Sequence, residues 1–451
     1  MGSPAQTAHP GLFHQSQAHR FTPRFPALQS APLDSRSESE IEKDLQQPKR
    51  YDLDFTKSMS ESLPPDEAKR LIALCRAGKL YEVEKWIAEG KSIETSSDFK
   101  KTPLSAAMDL GFHSLVELLV QHVTEQATKD KALEFGVSKR RLDMVEMLVD
   151  HGAQIRSVDL ADVLLCWEPT IIRFFLDNGA DVVTGSPFAV AFREKVRTAL
   201  RPFVEYKKAH PDVAVALQGQ ADRALRHFAH EGDLKWVSLL MWAGANPRTP
   251  GPTIDDRYED DPECHTTALQ EACYTGKLEV LVKLKPNAAQ DDLADLLSCA
   301  VVSHSSELVH YLFKLGATPN NSPDGGSSAL DSCLHHLAMD DIDAFLHNRP
   351  ASKYAVSGAL ERIRELVEHG AQWRPEGRWG INYVRQSLLK CEPAVTVEVV
   401  KLLARHKACP ETTLEELLDT PRMRGHLSEL GMKLYSGPSS SRRESKGGSG
   451  Q

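Results

Sequence analysis

Apolar residues recur along this chain in two alternating short patterns, and glycines punctuate them. Glycines lie twelve residues apart at Gly78 and Gly90, Gly232 and Gly244, and Gly358 and Gly370. The same step links Arg140 to Gly152, Trp167 to Gly179 and His304 to Gly316. A leucine often stands seven residues before the first member: Leu71, Leu133, Leu160, Leu225 and Leu297. Seven residues make a two-turn helix. The first glycine permits a tight turn, because positive φ carries no Cβ penalty there. A second amphipathic helix follows, visible in Val145, Leu148 and Val149, and the second glycine ends it. The predicted unit is a helical hairpin. One hairpin cannot bury its apolar side alone, but stacked neighbours can. The pattern therefore predicts an all-α solenoid of eight or nine stacked hairpins.

Two segments carry a more specific signature. Thr102-Pro103-Leu104-Ser105-Ala106-Ala107 precedes Gly111, and Thr267-Ala268-Leu269-Gln270-Glu271-Ala272 precedes Gly276. Units end on Gly152-Ala153, Gly179-Ala180-Asp181, Gly244-Ala245-Asn246, Gly316-Ala317 and Gly370-Ala371. Together these resemble the ankyrin repeat family over roughly residues 65–410. The resemblance implies an ankyrin-like stack whose finger loops and concave side bind proteins. It also implies a histidine after the leucine, tying each turn to its neighbour. Ser105 and Gln270 stand there instead, so looser turns are expected.

The spacing of the Gly-Ala marks is uneven, at 152, 179, 244, 316 and 370. Three finger-loop insertions are expected, at about 183–220, 247–265 and 318–328. The first carries Phe188, Phe192, Val196 and Leu200 at helical spacing, with net charge +4 between Ser186 and His210. The second holds Asp255, Asp256, Glu259, Asp260, Asp261 and Glu263 against Arg257, with Tyr258 in the middle. The third is rich in Asn, Pro and Gly and reads as a plain loop. A degraded helix pair is expected around Leu330 to Phe345. Residues 1–62 and 436–451 lack any sustained period and are expected to be disordered tails around an array at 63–435.

Composition narrows the function. The chain has 451 residues and a formal net charge of -9, which disfavours nucleic acid as a partner. No run reaches the roughly 18 apolar residues of a membrane span, so no membrane partner is expected. No cysteine pair has Cys-x-x-Cys spacing, and most of the eight cysteines sit in apolar helical stretches. That suits a reducing compartment such as the cytoplasm.

A phosphate loop requires glycine where Lys85 stands before Gly90-Lys91-Ser92, and no nucleophile elbow or His-Glu-x-x-His occurs. His227 and His230 share a helix face but lack nearby acidic or thiol ligands in sequence, which favours packing over metal binding. No catalytic, cofactor-binding or metal-ligating residue is assigned. The reading is a protein-interaction module, an adaptor or scaffold. Its candidate contacts are Asp255, Asp256, Tyr258, Asp260 and Asp261, with Trp242 and Trp373 near the finger mouths. The alternative is an enzyme whose small active site is built by 183–220 and 247–265.

Overall fold

The computed structural model describes residues 63–95, 98–252, 265–303, 305–320, 328–346, 353–373 and 393–418. The two tails, the acidic stretch 253–264 and most of the third expected insertion lie outside them. Among the described residues there is no β-strand, and helices account for the regular structure. Among the described residues nine helix pairs succeed one another. They are α1 (Pro65–Arg76) with α2 (Leu80–Ala88), α3 (Pro103–Leu110) with α4 (His113–His122), and α5 (Gln126–Ser138) with α6 (Leu142–Asp150). Then come α7 (Leu160–Leu165) with α8 (Pro169–Asp177), α9 (Pro187–Arg193) with α10 (Leu200–Ala209), and α11 (Ala214–Glu231) with α12 (Leu234–Trp242). The last are α13 (Ala268–Tyr274) with α14 (Leu278–Leu284), α15 (Leu293–Ala300) with α16 (Ser306–Lys314), and α17 (Ala329–Leu346) with α18 (Lys353–Glu368). Two further helices, α19 (Pro393–Arg405) and α20 (Glu411–Leu418), follow.

The pairs stack as a row. First helices pack on first helices, as α1 on α3, α9 on α11, α11 on α13 and α15 on α17. Second helices do likewise, as α2 on α4, α6 on α8, α12 on α14 and α16 on α18. One hydrophobic cluster runs through the row from Leu71 to Leu414. The described cysteines, Cys75, Cys166, Cys273, Cys299, Cys333 and Cys409, are free and buried in it. Burial pushes the Cys75 thiol up to about 12.

Local chemistry explains the helix ends. Thr102 Oγ1 accepts from Ser105 N at 3.1 Å with Pro103 in the first turn. Thr267 and Gln270 form a reciprocal capping box. Asp292 accepts from the amides of Ala294 and Asp295. Arg140 (φ 57°) and Trp167 (φ 64°) occupy the turn positions that glycine holds elsewhere. Their twelve-residue spacing to the next glycine thus marks the same left-handed turn, adopted at some cost by residues with a Cβ.

Three expectations change. Residues 183–220 do not form a finger insertion. They supply α9, a 3₁₀ turn (Arg197–Ala199) and α10, and α9 packs between α7 and α11 while α10 packs on α8. Phe188, Phe192 and Phe203 are fully buried, with Phe188 and Phe203 ring centroids 5.1 Å apart. These residues form a further helix pair in the row, one without a terminal Gly-Ala. The stretch around Leu330 to Phe345 is no extra degraded pair. It is the long first helix α17, which packs on both α15 and α18. The missing histidine at Gln270 does not loosen that turn, because Gln270 Nε2 donates to Asp295 Oδ2 of the next first helix at 2.7 Å.

The fingers are held by a recurring polar clamp. A second helix that ends in a left-handed residue leaves a carbonyl and the amide two residues on unsatisfied. Gln126 Nε2 donates to Gly152 O at 2.9 Å, and Asp130 Oδ1 accepts from Gln154 N at 2.9 Å. Gln218 Nε2 donates to Gly244 O at 2.9 Å, and Asp222 Oδ1 accepts from Asn246 N at 2.6 Å. Asn320 performs both tasks, towards Gly370 O and Gln372 N, at 2.7 Å each. Where Lys285 (φ 57°) replaces glycine, Arg248 donates to its carbonyl at 3.3 Å and Asp291 accepts from Asn287 N at 2.6 Å.

Asp222 is 1% exposed. Replacing Asp222 with Ala removes the acceptor of the Asn246 amide. Urea denaturation is expected to show a loss of about 1–3 kcal/mol for Asp222→Ala.

Candidate interaction surface

Helix α11 is eighteen residues long and amphipathic. Its apolar side, including Leu217, Ala221, Leu225 and Phe228, is buried. Gln218, Asp222, Arg226 and His230 recur at every fourth position, so they form one stripe along the helix. Each member takes hold of the chain that follows α12. Gln218 and Asp222 clamp Gly244 and Asn246 as described. Arg226 Nη1 donates to Thr249 O at 3.2 Å. His230 Nδ1 lies 2.9 Å from Glu271 Oε2, and Glu271 Oε1 accepts from Thr266 Oγ1 at 2.5 Å.

This stripe builds the root of the acidic segment. Gly251 and Thr266 pair as an isolated antiparallel bridge, with N···O distances of 3.1 and 2.9 Å. The bridge brings together the two ends of the stretch that contains the six acidic residues. Beneath it lies the Arg226 guanidinium, 5% exposed. Burial lowers the Arg226 pKa, and the Asp222 carboxylate partly opposes that shift. A Cβ on Gly251 would sit 2.2 Å from Arg226 Nη2 and 2.5 Å from its Cζ. Only glycine lets the backbone approach the guanidinium so closely.

The root is also tied to the next finger. Arg248 Nε and Nη2 hold Asp291 bidentately at 2.8 and 2.9 Å. The Asp291 side chain is 5% exposed, so this pair is buried on one side and geometrically strict.

The candidate contact residues fall into three groups. Asp255, Asp256, Tyr258, Asp260 and Asp261 lie outside the described residues. Trp242 ends α12 just before the clamped Gly244 and is 63% exposed. Trp373 is 3% exposed, and its amide donates to Ala408 O at 2.7 Å. Trp373 therefore packs inside the row and joins one finger to the next unit. Three of the basic residues of 186–210 have partners. Lys195 pairs with Asp233 at 2.9 Å, Arg201 with Glu205 at 2.7 Å, and Lys207 bonds Gln218. The polar stripe on α11 was missed in the sequence, although four polar residues at spacing four on an apolar helix were there to be read.

Known proteins agree on the class. The family model of ankyrin repeats matches residues 71–159 as three copies. That match runs from within α1 to just before α7, and the same hairpin plan continues beyond it. The chain carries ankyrin repeats over residues 71–159. Repeats of this kind are protein–protein interaction modules. No curated protein matches the chain. Among solved structures, the crystal structure of the ankyrin repeat domain of Bcl-3, described as a unique member of the IkappaB protein family, is 16% identical. It covers 58% of this chain and 92% of its own, with a TM-score of 0.27. The fold assignment rests on the hairpins and the family match rather than on that superposition. Among the described residues, no helix is long and apolar enough to cross a membrane.

Two outcomes test the root. Gly251→Ala forces the bridge away from a buried guanidinium, at an expected cost of about 1–3 kcal/mol in thermal or urea melts. Limited proteolysis between Gly251 and Thr266 should accelerate in the same variant. Burial also holds His227 below its ordinary 6.5, against the pull of Glu231. The unfolded chain then takes up a proton at higher pH than the folded array does. Stability present above pH 6.5 is therefore lost as the pH falls below it. Melts from about pH 8 to about pH 5.5 are expected to show that decline, with a shallower slope in His227→Gln.

Proposed function

We propose that the chain is an adaptor that docks a protein partner along its finger edge, centred on the acidic segment rooted at Gly251 and Thr266. The observation that carries this reading is the stripe of Gln218, Asp222, Arg226 and His230. It fixes both ends of a stretch with net charge -5 between Thr253 and His265. A fixed root limits the ordering entropy lost on binding. The six acidic residues suit a basic partner segment, and such charges steer encounter. Trp242 supplies the large apolar contact that interface energetics favour. The buried free thiols fit a cytoplasmic setting.

The catalytic alternative needed 183–220 and 247–265 to enclose a pocket together. The first of these forms a repeat whose phenylalanines fill the row's core, so it has no loop to contribute. The groove it does border, between α8 and α10, is lined by already paired charges such as Arg173 and Glu205, 3.0 Å apart.

Affinity purification with mass spectrometry tests the proposal. The wild-type chain is compared with one carrying Asp255→Lys, Asp256→Lys, Asp260→Lys and Asp261→Lys, and with Trp242→Ala. Specific partners are expected to be lost from the first and recovered about tenfold less from the second. Recovery of every wild-type partner by the charge-reversed chain overturns the proposal.

A further inference from the structure

A depression of basic lining lies at the N-terminal end of the described row. Helix α1 buries Leu71 and Cys75. Lys69, Ile72, Ala73, Arg76 and Ala77 follow the helical repeat on its other side. Beside them runs the 3₁₀ turn Phe99–Lys101, anchored by Phe99, whose ring lies 5.5 Å from that of Phe135 on α5. Between α1 and the turn is a depression of about 520 Å³. Ile72, Ala73 and Ala77 give it an apolar floor, and Lys69, Arg76, Lys100 and Lys101 surround them. No acidic side chain lines it. A second depression, of about 370 Å³, continues from Lys100 across Phe99 to Phe135 and Lys131 on α5, with Asp98 and Glu134 also in its lining. In a chain of net charge -9, the first depression is a local reversal of sign.

We propose that this first-helix groove, from α1 across the Phe99–Lys101 turn to α5, binds an acidic peptide that carries apolar side chains. The inference rests on the reading of the array as a protein-binding module and names a partner chemistry for a second part of it. Charge complementarity selects the occupant. Lys69 and Lys101 have only exposed neighbours, Asp66 at 3.4 Å and Asp98 at 3.1 Å. Arg76 and Lys100 have no ion pair among the described residues. Exposed pairs of that kind are weak and exchange readily for a carboxylate from a ligand. The Arg76 guanidinium offers a planar fork that fits a carboxylate through two hydrogen bonds. The floor of Ile72, Ala73 and Ala77 has no use for a phosphate backbone but takes leucine-sized or aromatic side chains. Four clustered cations are also few for a nucleic acid, whose affinity grows with the number of phosphates neutralised. A peptide alternating acidic and apolar residues satisfies both the rim and the floor.

The test is selection of a phage-displayed random-peptide library on the full chain. Enriched peptides are expected to alternate Asp or Glu with Leu, Ile or Phe. Fluorescence anisotropy of the best labelled peptide should show binding weakened at least about tenfold by Arg76→Glu with Lys100→Glu. Both side chains are exposed, so circular dichroism and the melting temperature of that variant should match wild type. The same peptide should still bind the chain with the four reversed aspartates. That arm separates failure of this groove from failure of the acidic segment. Absence of enrichment, enrichment of peptides without acidic residues, or unchanged affinity in the double variant overturns the proposal. Binding of a single-stranded oligonucleotide or of phosphatidylserine vesicles that the double variant abolishes would assign the groove to another class and overturn it equally.

Discussion

The row of hairpins depends on how its second helices are ended. At several of them a left-handed residue turns the chain back towards the next unit and leaves a carbonyl and a nearby amide without an intrahelical partner. Gln126 with Asp130, Gln218 with Asp222, Asn320 alone, and Arg248 with Asp291 solve this at four places in three chemical ways. Because each solution joins a finger to a first helix or to the neighbouring finger, polar satisfaction and stacking become one event. The apolar faces supply the drive to stack, while these clamps fix the register in which stacking occurs.

Function follows from where that scheme is elaborated. On α11 the clamp is extended from two polar residues to four, and the extension carries Arg226 and His230 to the root of the acidic segment. A buried guanidinium is costly unless it is well placed. Its position against Gly251, close to the carboxylates of Asp222 and Glu271, makes the root a strict piece of geometry. At the N-terminal end the elaboration is simpler. A short 3₁₀ turn stands beside the face of α1, across a depression lined by Lys69, Arg76, Lys100 and Lys101. The depression beside α1 is thus lined by basic residues, while the sequence between Thr253 and His265 is acidic.

Much of the fold was legible because stacking obeys a period. The twelve-residue step placed Arg140 and Trp167 at glycine's position, and both have positive φ. The histidine-free signatures at Thr102 and Thr267 still mark helix starts, because capping needs only a hydroxyl and the right spacing. The stretch 183–220 was read as an insertion because it lacks a terminal Gly-Ala, yet Phe188, Phe192 and Phe203 make it a repeat. Burial rather than punctuation decides that case. Trp373 misled for a related reason: proximity to a glycine in sequence says where a finger begins, not which way its side chains turn.

The sequence by itself determined the unit, its length and its need for neighbours, since amphipathic period and turn chemistry are local properties. It also determined the sign of the charge between Thr253 and His265. Only the tertiary structure decided which polar residues meet. The stripe on α11 reaches Gly244, Thr249 and Glu271 across stretches of chain that no local pattern spans. The cations of α1 and of the turn at Lys100 share a groove only because α1 and α3 are stacked side by side.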